Sequence, residues 1–217
     1  MKQDAGSFGY LNEKGEHEGF DIDVAKYIAK EITGSEKNVK FVTVTSNTRI
    51  ESVTAGEVDI VIATMSNTDS RRYLIDFSIP YYTAGQTAVV KKKSKIYTFA
   101  DLKDKTTIVV LGSTSEQNLR RVIPTAKIVG YSNYEEAFQA LKDGKGDALS
   151  TDDTIISGFL VKNKDYRVLK GRISAEYYAI GMKQTEDKLL QEKLNSIIME
   201  MKNNGTLKEL KQKWVLI

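Results

Sequence analysis

The sequence predicts a two-lobed α/β protein, and three observations carry that prediction. Strand-like and helix-like segments alternate along the chain, and the alternation restarts after the basic run Lys91-Lys-Lys-Ser-Lys95. Only two prolines, Pro80 and Pro124, interrupt it, and no Gly/Ser-rich linker separates the halves into independent beads. Alternation of this kind implies mostly parallel sheets with helices on both faces. The chain crosses between the lobes twice, which makes a hinge, and closure about a cleft is the ordinary motion of such a protein. The first lobe is expected at 1–90 plus 178–217 and the second at 91–177.

Taken in order, Phe20, Val24, Ile28 and Ile32 recur at helical spacing, and Asp21 and Asp23 fall where carboxylates suit the positive end of a helix dipole. A helix is therefore expected near 20–33. Val39 to Val44 mixes β-branched and aromatic residues over strand length, and Asn47-Thr48 suits the cap of a helix that Gly56 stops. A strand over 58–64 follows, then a capped turn from Asn67 to Ser70 and a strand at 87–90. In the second lobe Ala100 to Lys103 reads as a short helix, 107–111 as a strand, and Ser113-x-x-Glu116 as a capping box. A helix at Tyr134 to Leu141 leads to a strand at 147–151, an apolar helix at Thr154 to Leu160, and short strands at Tyr166 to Leu169 and Ala179 to Gly181. The tail from Asp187 to Trp214 is amphipathic helix interrupted at Asn203-Asn-Gly205.

Composition excludes several function classes. Lysine plus arginine number 32 against 29 acidic residues, a balance too small and dispersed for a nucleic-acid footprint. The lysine run lacks aromatic interleaving and reads as a solvated connector. With no cysteine there are no thiolate zinc sites, disulfides or cysteine nucleophiles. The one histidine, His17, sits in the polar stretch Asn12 to Gly19, expected as a solvent-exposed turn, so no metal site and no cofactor is expected. The longest apolar runs, such as Ile60 to Ala63, are strand length, far short of the roughly 20 residues that span a membrane. No apolar signal-peptide core follows Lys2, so export is absent or the segment was removed.

The chemistry concentrates in two places built alike. Gly56-x-x-Asp59 opens a strand that delivers Thr64 and Ser66 beside Arg71, and Gly144-x-x-Asp147 opens one that ends at Asp152. An apolar strand running into small hydroxyl residues and then an arginine suits a carboxylate, because a guanidinium fork matches two carboxylate oxygens. If the halves face each other, Arg71 holds an anion and Asp152 a cation, and a free amino acid carries both charges on one carbon. The plainer alternatives stay open: Arg71 as a solvated helix residue, Asp152 as an N-cap. Thr114 and Ser115 stand at a helix start, where backbone N–H groups reach an anion or serve only as caps. Tyr82 and Tyr177-Tyr178 read as core or hinge packing.

Six segments in order, Gly19-Phe-Asp-Ile-Asp-Val-Ala25, Asn47-Thr-Arg-Ile50, Gly56-Glu-Val-Asp-Ile60, Ala63-Thr-Met-Ser-Asn-Thr-Asp-Ser-Arg71, Asp76-Phe-Ser-Ile-Pro-Tyr-Tyr82 and Gly146-Asp-Ala-Leu-Ser-Thr-Asp152, resemble the bacterial amino-acid-binding proteins of ABC uptake systems, solute-binding protein family 3. The resemblance covers nearly the whole chain. It implies a periplasmic-binding-protein-like type II fold with an interlobe ligand cleft, an extracytoplasmic location with the signal or anchor segment outside this chain, and a monomer. It also implies a free amino acid as ligand, an ABC transporter permease as partner, and membrane contact only through an anchor or that transporter. By resemblance Arg71 grips the α-carboxylate with Ser66 and backbone near Thr64, and Asp152 accepts from the α-ammonium. Arg49 meets a side-chain carboxylate, with Lys2 a second cation and Phe8 or Tyr10 packing on the ligand's methylenes. Two cations favour glutamate or aspartate over glutamine. The family's opening apolar strand would stand just before Lys2, so the first lobe's sheet is expected to lack a strand. A dehydratase-like enzyme acting on a cyclic carboxylate, and a ligand-sensing module cut from a receptor, are the alternatives the same architecture allows.

Overall fold

In the computed structural model, which describes residues 1–216, β1 (Tyr10–Leu11) and β2 (His17–Glu18) pair as an antiparallel hairpin. His17 is thus in a strand and only partly exposed, with Nε2 3.1 Å from Thr43 Oγ1, and not in an open turn. α1 (Phe20–Thr33) buries Phe20, Ile22, Val24 and Ile28, whereas Ile32, the last residue of the expected stripe, is exposed. Gly34, at φ +82°, ends it by donating its N–H to the Lys30 carbonyl.

Residues 39–44, expected as a strand, lie outside every sheet. Among the described residues their backbone hydrogen bonds go to Met1 alone: the Met1 amino group donates to Val42 O at 2.7 Å, and Val44 N–H donates to Met1 O at 2.9 Å. Two bonds do not make a ladder. A groove of about 390 Å³ runs beside them, lined by Ile28, Phe41, Val42, Ile60 and Ile62 among others.

α2 (Arg49–Thr54) starts after Thr48, but the Thr48 hydroxyl accepts from Thr45 N–H and does not cap the helix. β3 (Ile60–Val61) is shorter than the expected 58–64 strand, because the chain turns at Thr64, which has φ +47°. α3 (Asp69–Arg72) and β4 (Asp76–Phe77) follow.

β5 (Tyr82–Lys91) leads into a second compact unit with β6 (Thr106–Val110), α4 (Ser115–Val122), β7 (Lys127–Tyr131), α5 (Tyr134–Lys142), β8 (Ala148–Asp152), α6 (Asp153–Lys162), β9 (Tyr166–Val168) and β10 (Ser174–Tyr178). Its strands lie in the order β10-β5-β8-β6-β7, with β9 also on β5. The expected mostly parallel sheet is in fact mixed. β6 is parallel to β7 and β8, but β5 is antiparallel to β8 and β9, because β5 brings the chain in against the direction of the crossover strands. Both faces are covered, as the unbroken apolar runs require. Val89, Ile108 and Leu149 pack with residues of α5 and α6, while Ala88, Val90 and Ala148 pack with Leu102 and Leu119.

The capping box expected at Ser113 does not form. Ser113 Oγ donates to Val110 O at 2.6 Å and accepts from Ser115 N–H at 3.2 Å, and Glu116 pairs with Arg120 at 3.0 Å. The capping box that does form joins Thr98 and Asp101 at the 3-10 turn Phe99–Leu102.

The chain then re-enters the first unit. Ala179 and Ile180, expected within a strand, are the link between β10 and β11 (Gly181–Met182). β11 stands between β3 and β4 and pairs antiparallel with both. α7 (Leu189–Asn203) and α8 (Thr206–Lys213) are separated at Gly205, which adopts φ +86°. The first unit comprises Met1–Gln3, Ser7–Thr83 and the chain from Tyr177 onward; the second comprises Asp4–Gly6 and Ala84–Glu176. Among the described residues no helix is long and apolar enough to cross a membrane.

Candidate functional site

In the first unit the polar residues singled out by sequence gather around one strained turn. Thr64 is β-branched yet sits at φ +47°, a conformation that persists only where its surroundings over-determine it. Three partners do so. Thr64 N–H donates to Asp21 Oδ2 at 2.9 Å, its hydroxyl accepts from Lys2 Nζ at 2.8 Å, and its carbonyl accepts from Arg49 Nη1 at 3.2 Å. Arg49 Nη1 also donates to Ala63 O at 2.6 Å. Lys2 and Arg49 are both buried, so two cations are held beneath this turn.

Asp21 is the anion that faces them. Its Oδ1 accepts from the Tyr81 hydroxyl at 2.8 Å. Burial pushes its carboxyl up to about 6, although the bonds from Tyr81 and Thr64 and the nearby Lys2 pull the other way. The same burial raises the Tyr81 phenol well above its ordinary value.

A few residues on, Thr68 caps α3 by accepting from Arg71 N–H at 3.4 Å. This short helix turns Arg71 back on its own approach strand, so that Nη1 donates to Ser66 O at 2.8 Å. Arg71 and Ser66 are 7% and 4% exposed, which makes Arg71 an interior guanidinium and not a solvated one. Ser66 is anchored by a bridge to Tyr178, and Asn67 N–H donates to Tyr177 O at 2.9 Å. Phe8 is fully buried, its ring 5.2 Å from Phe20, 4.9 Å from Tyr82 and 5.6 Å from Tyr178. Tyr10 lies elsewhere, bonded to Glu18 at 2.7 Å.

In the second unit Asp152 ends β8 and is the N-cap residue of α6, but its side chain makes no capping bond. It is 7% exposed and registers opposite Gln86 of β5. Gln86 Nε2 donates to Ser115 Oγ at 3.2 Å and Thr114 Oγ1 at 3.5 Å. Thr114 in turn donates its hydroxyl proton to Glu176 Oε2 at 3.0 Å, and Asn118 and Ser174 donate to Glu176 Oε1 at 2.8 and 2.6 Å. With its hydroxyl proton engaged, Thr114 can serve an anion only through backbone at the start of α4.

The structure therefore gathers Lys2, Arg49, Thr64, Ser66 and Arg71 in one unit, with Phe8 in the aromatic core of that unit. It gathers Asp152, Thr114 and Ser115 in the other. Sequence reasoning missed Asp21, Gln86 and Glu176. The available signals were a carboxylate between two core residues, Phe20 and Ile22, and a lone amide inside the apolar run Ala84 to Val90. Chemically, the first group presents donors and cations suited to a carboxylate, and the second presents acceptors suited to an ammonium group.

Comparison with known proteins is consistent across sequence and fold. The model of the bacterial extracellular solute-binding proteins, family 3, matches residues 1–217. The ABC transporter glutamine-binding protein of Bacillus subtilis is 43% identical over 217 residues, covering 99% of this chain and 79% of that protein. A glutamine-binding protein of Geobacillus stearothermophilus is 46% identical over 183 residues, covering 83% of this chain and 70% of its own length. Among solved structures, an ancestral arginine-binding protein bound to glutamine superposes with a TM-score of 0.91 at 38% identity, covering 98% of this chain and 94% of that one.

Proposed function

Because the chain belongs to the bacterial extracellular solute-binding proteins of family 3, a family with the type II periplasmic-binding fold, we propose that it captures a free polar amino acid, glutamine foremost, and delivers it to an ABC importer outside the cytoplasm. It is a binding protein for transport and not an enzyme, as its named relatives are. In this reading Arg71 and Ser66 of the first unit take the α-carboxylate, and Asp152 of the second takes the α-ammonium. The observation that carries it is the burial of Arg71 beside Ser66, with Nη1 donating to Ser66 O at 2.8 Å, since a guanidinium fork held in place next to a hydroxyl matches the two oxygens of a carboxylate.

Sequence alone favours glutamate or aspartate through Arg49 and Lys2. We rank glutamine ahead of both. Arg49 Nη1 serves the Ala63 and Thr64 carbonyls and Lys2 Nζ serves the Thr64 hydroxyl, and two relatives are named for glutamine. Isothermal titration calorimetry of the unfolded and refolded protein tests this with glutamine, glutamate, aspartate and arginine. One-to-one binding tightest for glutamine is expected. Preference for the acidic pair would restore the Arg49 role, and binding of none of the four would refute the amino-acid reading.

A further inference from the structure

We infer that Gln86 is a ligand-binding residue whose side-chain carbonyl accepts a hydrogen bond from the α-ammonium of the amino acid, beside Asp152. The inference rests on the amino-acid reading above and adds a contact to it. Gln86 is fully buried in β5, and its Oε1 has no hydrogen-bond partner among the described residues. Buried polar atoms are almost always satisfied, so each exception marks a place where something else completes the bond.

The direction of the amide follows from its neighbours. Glu176 as a carboxylate has no proton to give, so Thr114 must donate to it at 3.0 Å. Thr114 then offers only lone pairs to Gln86, whose NH₂ must be the group that faces Thr114 and Ser115. Oε1 is thereby turned away from both hydroxyls. Asn118 and Ser174 hold Glu176 in place, so the whole relay is fixed from one end.

The location sets the ligand chemistry. Gln86 registers directly opposite Asp152 across the β5–β8 pair, and residues so paired project on the same face of the sheet. A carboxylate and an amide carbonyl side by side are acceptors only. An ammonium group has three N–H donors, more than one carboxylate ordinarily satisfies, and fits such a pair where a carboxylate or hydroxyl acceptor would not.

The test compares glutamine with its des-amino analogue, 4-carbamoylbutanoate, on the wild-type protein and on Gln86→Met, which keeps the side-chain volume without the amide. Gln86→Met is expected to weaken glutamine binding by roughly 10- to 100-fold and to leave analogue binding within about twofold, the range set by one hydrogen bond to a charged group. Equal weakening of both ligands, or unchanged glutamine binding, would overturn the inference. A second measurement needs only the wild-type protein: the Gln86 side-chain carbonyl resonance in ¹³C NMR should move on adding glutamine and stay on adding the analogue. A resonance indifferent to glutamine refutes the contact while leaving the amino-acid reading intact. A wild-type protein that binds no amino acid removes both.

Discussion

Asp21 titrates inside the protein, and replacing it with asparagine isolates what that costs. Folding takes this carboxyl from an ordinary value of 3.8 to about 6, chiefly by burial. Between those values the folded state binds the proton more tightly than the unfolded chain, so the stability gained is fully present below about pH 3.8 and is lost as the pH rises through about 6. At about 1.4 kcal/mol per pH unit the gap is worth about 3 kcal/mol. Asp21→Asn preserves the geometry: the amide carbonyl accepts from Thr64 N–H, and the NH₂ donates to a Tyr81 hydroxyl turned to accept it. The other ionisable groups beside Asp21, namely Lys2, Tyr81 and the Met1 ammonium, are present in both proteins. The ammonium is itself lowered to about 6 by burial and acts with the opposite slope above that pH, so the informative window lies below it. Urea denaturation of both proteins from pH 3.5 to 6 is the assay. The wild type should lose about 2–3 kcal/mol relative to the variant across that range. A difference that stays constant with pH would refute the assignment of this carboxyl as the buried titrating group.

Arg71→Ala should weaken amino-acid binding by about 2–5 kcal/mol, because the ligand carboxylate is left without its charged partner, and calorimetry showing less than a tenfold loss would contradict its role. Thr64→Gly removes a strained φ while losing the hydroxyl that Lys2 uses, so these effects, each of about 1–2 kcal/mol, should nearly cancel in denaturant melts. A net loss as large as the hydroxyl bond alone, about 1–2 kcal/mol, would show the turn to be unstrained. Gly205→Ala should cost about 1 kcal/mol, since a Cβ there meets nothing within 4 Å and only the left-handed φ of +86° is penalised. An unchanged Tm would mean the link between α7 and α8 relaxes.

Much of the fold was legible because local signals and tertiary packing agree. The stripe of Phe20, Val24 and Ile28 and the Asn203-Asn-Gly205 break fall where the helices run and stop. Misreadings occurred where long-range pairing decides. The polarity of β5 depends on partners at Asp152 and Val168, which no local pattern encodes. Residues 39–44 carry strand composition, yet composition supplies no partner, and among the described residues their backbone bonds go to Met1 alone. The Ser113 cap failed because the strand-end carbonyl of Val110 claims the hydroxyl. For the site, Arg71 and Asp152 stood out as charges at strand ends. Asp21 hid among helix-dipole carboxylates, and Gln86 among apolar strand residues, because burial and not sequence spacing makes them unusual.

The three-stranded sheet of the first unit has a consequence for how the chain is made. β3 and β4 are synthesised early and do not pair with each other. Each waits for β11, so Ile60 meets Met182 and Asp76 also meets Met182 only after the whole second unit has been translated. The five-strand path of the second unit's sheet and both its apolar clusters lie within Tyr82 to Tyr178 and can condense as these strands appear. The first unit must keep Val61, Phe77 and their neighbours uncovered until a late strand threads between two early ones, a closure over long sequence separation that slows folding. Chain termination between Tyr178 and Gly181 would therefore leave a finished second unit attached to an unfinished first one, with two exposed strand edges free to recruit the wrong partner.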